Sequence, residues 1–469
     1  MAYLNVIEVE SGLTALAATY PDLTELITLP NITHEGRVSH ALKISIGSID
    51  NKPGILFIGG VHAREWGSCE ICINFAADLL EAFSLRTGLV YGGQSFTKEQ
   101  IQSIVEGLNI FVFPLVNPDG RHQSQTVTPL WRRNKNPTDS GGNPNCVGVD
   151  INRNYEFLWD FPNLFSPAAL ISASTDPCEL EMDIPGTGTY HGSAPFSEAE
   201  TQNVRWLFDQ FPKIQWFIDI HSYGELILFP WGDDQNQSVN ASMNFRNTRH
   251  NTMRGIEDDI AYREFIPNGD MIAMTRIAIK MHNAIKNVRE KNYTVQQGFD
   301  LYATAGTSKD YAYSRHFVNP SKSKIHSFVI EWGTEFQPIW PEMERIILDI
   351  SSGLIEFCRA LSPPIISFNP TRINFGRTAI GDIRTRRLTI MNKGGNDLDI
   401  SIPVSSTGAF FEWRALQVTI PPNQNRFLDV EFRPRGEGRV AAIMQVMSND
   451  PQGPHSFNLN GTGFIGEPS

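Results

Sequence analysis

The sequence predicts an α/β domain over residues 1–362 followed by an all-β sandwich over residues 363–469. Three observations carry this. Short apolar runs such as Ile55 to Ile58, framed by Pro53-Gly54 and Gly59-Gly60, alternate with stretches of helical periodicity such as Trp66 to Phe83. A helical pattern from Glu342 to Leu361 is broken by Ser362-Pro363-Pro364. Beyond that break the apolar residues alternate with period two, as in Phe427-Leu428-Asp429-Val430-Glu431-Phe432.

Within residues 10–30, Leu13, Leu16, Ala17 and Tyr20 suggest a short amphipathic helix stopped near Pro21. Strands are expected at 38–46 and 54–61. In the helix from Trp66, Cys69, Ile73, Ala76, Leu79 and Leu80 share one side, and Cys69 and Cys72 read as packed thiols. A helix at 97–106 precedes a strand at 108–116, which runs into the turn signal Asn117-Pro118-Asp119-Gly120. Residues 121–155 are rich in Asn, Gly, Pro and Arg and read as irregular; so long a stretch in a compact domain points to function. A helix at 197–211 is expected to open with a capping box of Ser197 and Glu200. Strands follow at 215–220 and 226–229, helices at 243–261 and 270–290, and a strand at 327–330. After Pro364, strands at 373–375, 387–390, 398–402, 417–420, 427–432 and 440–446 have the spacing of a β-sandwich.

Composition narrows the function classes. Apolar residues make up 41% and charged residues 19% of the chain, an ordinary globular balance. No apolar run approaches the length of a membrane span. The N-terminus lacks the basic-then-apolar pattern of a signal peptide, so a cytoplasmic protein is expected if Met1 is the natural start. Before Pro364 there are 28 Lys and Arg against 42 Asp and Glu; from there on, 11 against 9. The larger domain is acidic, which argues against a nucleic-acid surface.

The chemistry gathers at expected strand ends. His62 and Glu65 lie on the turn after the 54–61 strand, where open α/β sheets place ligands. An imidazole and a carboxylate three residues apart can hold zinc when a second His completes the set and one position stays open. His221 closes the apolar run Trp216-Phe217-Ile218-Asp219-Ile220 and is the candidate. Glu331 directly follows Phe328-Val329-Ile330; an acid there is costly unless it is paired, protonated or working on a metal-bound water.

Eight stretches stand in the order found in zinc carboxypeptidases of the pancreatic carboxypeptidase A type, which residues 5–361 resemble. They are His62-Ala63-Arg64-Glu65-Trp66, Asn117-Pro118-Asp119-Gly120, Leu130-Trp131-Arg132, Cys146 to Asn154, Tyr190-His191-Gly192, Ile220-His221-Ser222-Tyr223, Leu301-Tyr302 and Ile330-Glu331. The resemblance implies a mixed central sheet flanked by helices and one Zn2+ held by His62, Glu65 and His221. It makes Glu331 the general base and Arg132 the stabiliser of the oxyanion. Asn152 and Arg153 would grip the terminal carboxylate of a peptide substrate, Tyr302 would close over it, and Arg64 would line a subsite further up the peptide. The residue at the base of the family's side-chain pocket lies in a Gly-rich loop after the Tyr, here Tyr302 to Asp310, and corresponds to Lys309. A buried ammonium there would favour C-terminal Glu or Asp, whereas an ammonium turned to solvent or neutralised by Asp310 would not.

Three departures matter. Pro129 stands where family members often carry another Arg of the outer subsite. No inhibitory prosegment precedes residue 10, so activation by cleavage is not expected. Cys146 and Cys178 match the positions of a family disulfide, which would favour an extracytoplasmic site against the missing signal peptide. The tail resembles immunoglobulin-like ASH/HYDIN-type modules through Ile373-Asn374-Phe375-Gly376, Asn392-Lys393-Gly394, Phe432-Arg433-Pro434 and Asn449-Asp450-Pro451. It carries no acid–base or metal cluster, so docking on the catalytic domain or on a protein partner is expected of it. The reading is a metallocarboxypeptidase. Its alternatives are a cell-wall or γ-glutamyl peptide hydrolase on the same fold, an aspartoacylase-like amidohydrolase (disfavoured by the Asn152-Arg153 and Tyr302 set), and a scaffold or adhesion protein with an inactive peptidase domain.

Overall fold

The computed structural model describes residues 3–46, 52–181, 183–406, 410–451 and 453–465. The chain forms two compact units, one of residues 1–96 and 108–357 and the other of residues 97–107 and 358–469.

The first unit is built on an eight-stranded mixed sheet. Its strands are β1 (Thr24–Thr28), β2 (His40–Ile44), β3 (Gly54–Gly59), β4 (Asn109–Phe113), β5 (Ile214–His221), β6 (Leu226–Phe229), β7 (Thr294–Gln297) and β8 (His326–Glu331). The spatial order is β1-β2-β4-β3-β5-β8-β6-β7. The four central strands β4, β3, β5 and β8 run parallel, while β2 pairs antiparallel with β4 and β6 antiparallel with β8. β3 and β4 are buried along their whole length, as parallel strands covered on both faces must be. Helices Gly67–Leu85 and Asn268–Arg289 are among those that flank the sheet. Phe57 of β3 meets Phe75 edge-on at 5.0 Å, and burial of such a side chain is worth about 1.5–3 kcal/mol. Among the described residues no helix is long and apolar enough to cross a membrane.

Four local expectations fail, each for a physical reason. The helix expected over 243–261 is absent; the segment is turns with one 3-10 turn, Thr248–His250. There Asn240, Asn244 and Asn247 accept the N–H groups of Ser242, Arg246 and Arg249 at 3.1, 3.1 and 3.2 Å, a local bonding that competes with the helix. The capping box of Ser197 and Glu200 does not form, and the helix spans Ala199–Gln210. Its two members are taken by tertiary bonds: Ser197 Oγ accepts from Asn154 Nδ2 at 2.8 Å, and Glu200 accepts from Asn134 Nδ2 at 3.2 Å. Asn117-Pro118 opens a helix, Pro118–Thr126, with the Asn117 side chain capping Gly120 N at 2.8 Å. The loop after Tyr302 likewise turns into a helix at Ser308–Val318, capped by Thr307.

The second unit contains a sandwich of a four-stranded and a five-stranded sheet. Strand Asn425–Phe432 alternates as read, with Leu428, Val430 and Phe432 inside against Phe375, Phe411 and Leu388. The Asn392-Lys393-Gly394 turn is held by the buried Asn392 side chain, which donates to Ile420 O at 2.8 Å and accepts from Gly394 N at 2.9 Å. Asp450 accepts the N–H of Ile366 at 2.8 Å, so the Asn449-Asp450-Pro451 segment ties the sandwich's first strand.

Burial also sets a pH dependence. Loss of water, and then the neighbouring Glu198, push the Glu200 carboxyl from 4.5 up to about 8. Its folded pKa is raised, so its contribution to stability is present in acid and is lost as pH rises through about 8. Glu200→Gln should therefore flatten the fall of the urea midpoint from weakly acid to weakly alkaline pH; an unchanged slope would remove Glu200 from the account.

Candidate active site

The chemistry-bearing side chains lie at the C-terminal ends of adjacent parallel strands. Gly60, at φ +61°, turns the chain out of β3, and a Cβ there would stand 2.9 Å from Cys69 Sγ. The helix Gly67–Leu85 thus packs close to the strand end, with His62 and Glu65 on the turn between them. Asn117, after β4, donates to Val61 O at 3.1 Å, and Ala63 N donates to Arg132 O at 3.0 Å. His221 ends β5, and Glu331 ends β8 directly beside it in register.

His62 Nδ1 lies 2.7 Å from Glu65 Oε1, His221 Nδ1 lies 2.9 Å from Glu65 Oε2, and the two Nδ1 atoms are 3.0 Å apart. The edges of a tetrahedron around zinc with such ligands are about 3.3 Å, so the donor set suits the ion in kind and spacing. The opposite nitrogens are engaged by carboxylates: His62 Nε2 lies 3.1 Å from Asp150 Oδ1, and His221 Nε2 lies 2.9 Å from Asp219 Oδ2. Both rings are thereby turned with Nδ1 toward Glu65, the arrangement in which a carboxylate fixes a metal-binding imidazole. Asp219 also accepts from Ser308 Oγ at 2.5 Å. Neither Asp150 nor Asp219 was singled out from the sequence, although an Asp inside the apolar run Trp216 to Ile220 is itself a signal.

Charge is tightly balanced. Burial opposes the charged form of Glu65, but His62 and His221 override it and hold the carboxyl well below its usual range. Burial likewise opposes protonation of His221, and Asp219 and Glu65 raise it well above the usual imidazole value. Asp150 is buried, yet Arg132 and then His62 keep it well below the carboxylate range. Glu331, partly accessible from the cleft, is pushed up to about 8 by loss of water, against the opposing pull of His221.

Of these groups His62, Glu65 and Glu331 line a cleft of about 600 Å³ together with Arg64, Arg132, Asn152, Arg153 and Tyr302. Arg132 Nε and Nη2 each lie 2.9 Å from Asp150 Oδ2, which fixes the guanidinium plane. The 3-10 turn Ile151–Arg153 is capped by Asp150 and presents Asn152 and Arg153. Asn152 Oδ1 accepts from Ser308 N at 2.8 Å; Arg153 Nη1 donates to Asn152 O at 2.7 Å and Nη2 to Ser172 Oγ at 3.1 Å. Each terminal nitrogen of Arg153 keeps a second N–H. Tyr302 is exposed at the cleft, and Arg64 is buried with its guanidinium 4.2 Å from the Phe336 ring centroid.

Lys309 stands apart from that lining. It sits in the first turn of helix Ser308–Val318, buried, with Nζ 2.5 Å from Asp310 Oδ1. Gly298 leaves room for the ammonium, since a Cβ there would lie 2.8 Å from Nζ. The structure therefore presents a Lys309–Asp310 pair rather than a bare charge. Cys146 and Cys178 are joined in a disulfide, as the resemblance implied.

The comparisons with known proteins agree with this geometry. Residues 9–347 match the zinc carboxypeptidase family, and residues 364–460 match the HYDIN/CFA65/VesB-like Ig-like domain. Among curated relatives, carboxypeptidase A2 of Rattus norvegicus is 33% identical over 49% of this chain and 47% of its own length. Carboxypeptidase B of Astacus astacus is 34% identical over 49% and 65%, and carboxypeptidase O of Bos taurus 30% identical over 62% of each. The chain thus spans roughly half to two thirds of the length of these relatives. The crystal structure of carboxypeptidase A from Helicoverpa armigera shares the fold, with a TM-score of 0.57 at 21% identity over 77% of this chain and 74% of that one. With most of its length matched and a His-Glu-His ligand set at the strand ends, the chain belongs to the zinc carboxypeptidase family and carries an Ig-like domain behind it.

Proposed function

We propose that the protein is a zinc-dependent carboxypeptidase that hydrolyses the last peptide bond of peptides or proteins. The observation that carries this is one cleft at a three-residue metal ligand set, lined by an acid without a side-chain hydrogen bond among the described residues, an anchored arginine and a second arginine fork. His62, Glu65 and His221 would hold a zinc ion, which would supply Lewis acidity and lower the pKa of a water. Glu331 takes the proton of the attacking water and returns it to the leaving amine. Arg132, clamped by Asp150, faces the oxygen on which charge develops. The two free N–H groups of Arg153 fit a terminal carboxylate bidentately, with Asn152 beside them and Tyr302 placed to cover it. The disulfide favours an extracytoplasmic site of action. The Ig-like unit is the candidate for docking to a protein partner.

The finer reading is a preference for C-terminal Glu or Asp through Lys309. Its support is the buried ammonium one residue from Ser308, whose N–H holds Asn152. The bond to Asp310 tempers it: a substrate carboxylate has to share the ammonium, so the preference is weaker than an unpaired buried charge would give.

Glu331→Gln should lower kcat by about two to four orders of magnitude while zinc stays bound. Arg132→Ala should cost about 10²–10³ in kcat. Metal content and activity should fall together on chelation, and Asp219→Asn should weaken zinc about tenfold or more in a competition titration against a chelator. An unchanged zinc affinity would reduce Asp219 to a packing role. On blocked dipeptides ending in Phe, Leu, Lys, Glu or Asp, Glu should be released fastest, by no more than about tenfold over Leu. Lys309→Ala should remove that margin. Fastest release of Phe or Leu would retain the mechanism and discard the Lys309 reading. No release from any of them, with zinc bound, would shift the weight to γ-glutamyl or cell-wall peptides or to a non-catalytic role.

A further inference from the structure

A loop that the site's chemistry does not use reaches into the same cleft. The chain between Cys178 and Thr189 is pinned on both sides. Cys178 is joined to Cys146, and Arg133 donates to Pro177 O at 2.5 Å and to Glu179 O at 3.1 Å. Glu179 Oε2 accepts from Thr189 N at 2.7 Å, and Gly186 O accepts from Arg132 N at 2.9 Å. Between these anchors Glu181 N donates to Thr187 Oγ1 at 3.2 Å, and the Glu181 side chain projects into the cleft. Its carboxylate meets Arg64 Nη2 through a single contact of 3.2 Å, with the side chain 47% exposed.

Apart from Glu331, which has a role at the reacting centre, the charges of the cleft leave this one accessible. Glu65 is committed to the metal ligands, Arg132 to Asp150, and Arg153 to the turn that faces a terminal carboxylate. Arg64 carries the remaining positive charge, but it is 4% exposed and packed on Phe336. Beyond Arg64, therefore, an incoming peptide meets a carboxylate with open lone pairs rather than a guanidinium.

We propose that Glu181 is a specificity residue that selects peptides with a cationic group one or two residues upstream of the scissile bond, an inference that rests on the carboxypeptidase reading. The cation is a Lys or Arg side chain or the free α-ammonium of a short peptide. Selection by a half-exposed pair is modest, about two- to fivefold in kcat/KM, and weakens with salt.

The test compares kcat/KM for blocked tripeptides with Lys, Gln or Glu at either upstream position and a common C-terminal residue. A second arm compares Ala-Ala peptides with a free and an acetylated N-terminus. The expected order is Lys, then Gln, then Glu, compressed at high salt, lost in Glu181→Gln and reversed in Glu181→Lys. Acceleration only with the free N-terminus, lost in the same variants, supports the proposal with the α-ammonium as the source. Equal rates for the three side chains and for both N-termini overturn it, as does a preference that persists in Glu181→Gln. If that variant misfolds, the salt dependence of the wild-type order decides in its place. Absence of release from every peptide overturns the carboxypeptidase reading and this proposal with it.

Discussion

The site depends on one constraint, the parallel register of the four central strands. β4, β3, β5 and β8 all end at the same edge of the sheet, so backbone pairing alone delivers Asn117, His62, His221 and Glu331 to one place. His221 and Glu331 are register partners, set side by side by ladder hydrogen bonds before any side-chain contact is made. A one-residue slip of β8 would turn Glu331 to the other face and put an apolar side chain in its position. The long buried runs of β3 and β4 make such a slip costly, because they fix the sheet by packing on both faces.

Around that edge the protein concentrates charge it cannot hydrate. Glu65, Asp150 and Asp219 face His62, His221 and Arg132 in a region almost without solvent access. Each imidazole is gripped on one nitrogen by a strand or turn carboxylate, which directs the other nitrogen inward. Removing one member leaves the others buried and uncompensated, so this cluster is bound to act as a unit.

The sequence made the long-range plan legible and the local details less so. Strand ends bearing His62, His221 and Glu331 stood out because an ionisable residue after an apolar run is expensive without a task. The period-two tail was equally plain. What escaped was decided by side chains bonding to nearby backbone: Asn240, Asn244 and Asn247 dissolve an expected helix, and Thr307 starts an unexpected one. That second case also changed the setting of Lys309. Read as part of a loop, it could be a free ammonium; in the first turn of a helix it lies beside Asp310 and pairs with it. Glu181 gave no local signal, because its position depends on a disulfide and on Arg133 bonds to residues more than forty positions away.

The pinned loop between Cys178 and Thr189 separates two kinds of change. Its anchors are backbone carbonyls, a disulfide and the Glu179–Thr189 bonds, none of which involves Glu181, Asp183, Ile184 or Pro185. His221 and Glu331 are set by strand ends, His62 and Glu65 by the turn after β3, and Asn152 and Arg153 by the 151–153 turn. Residues at the loop's tip can therefore vary in length and charge over evolutionary time without moving the reacting groups. Related enzymes built this way can diverge in the peptides they accept while the bond-breaking machinery stays fixed.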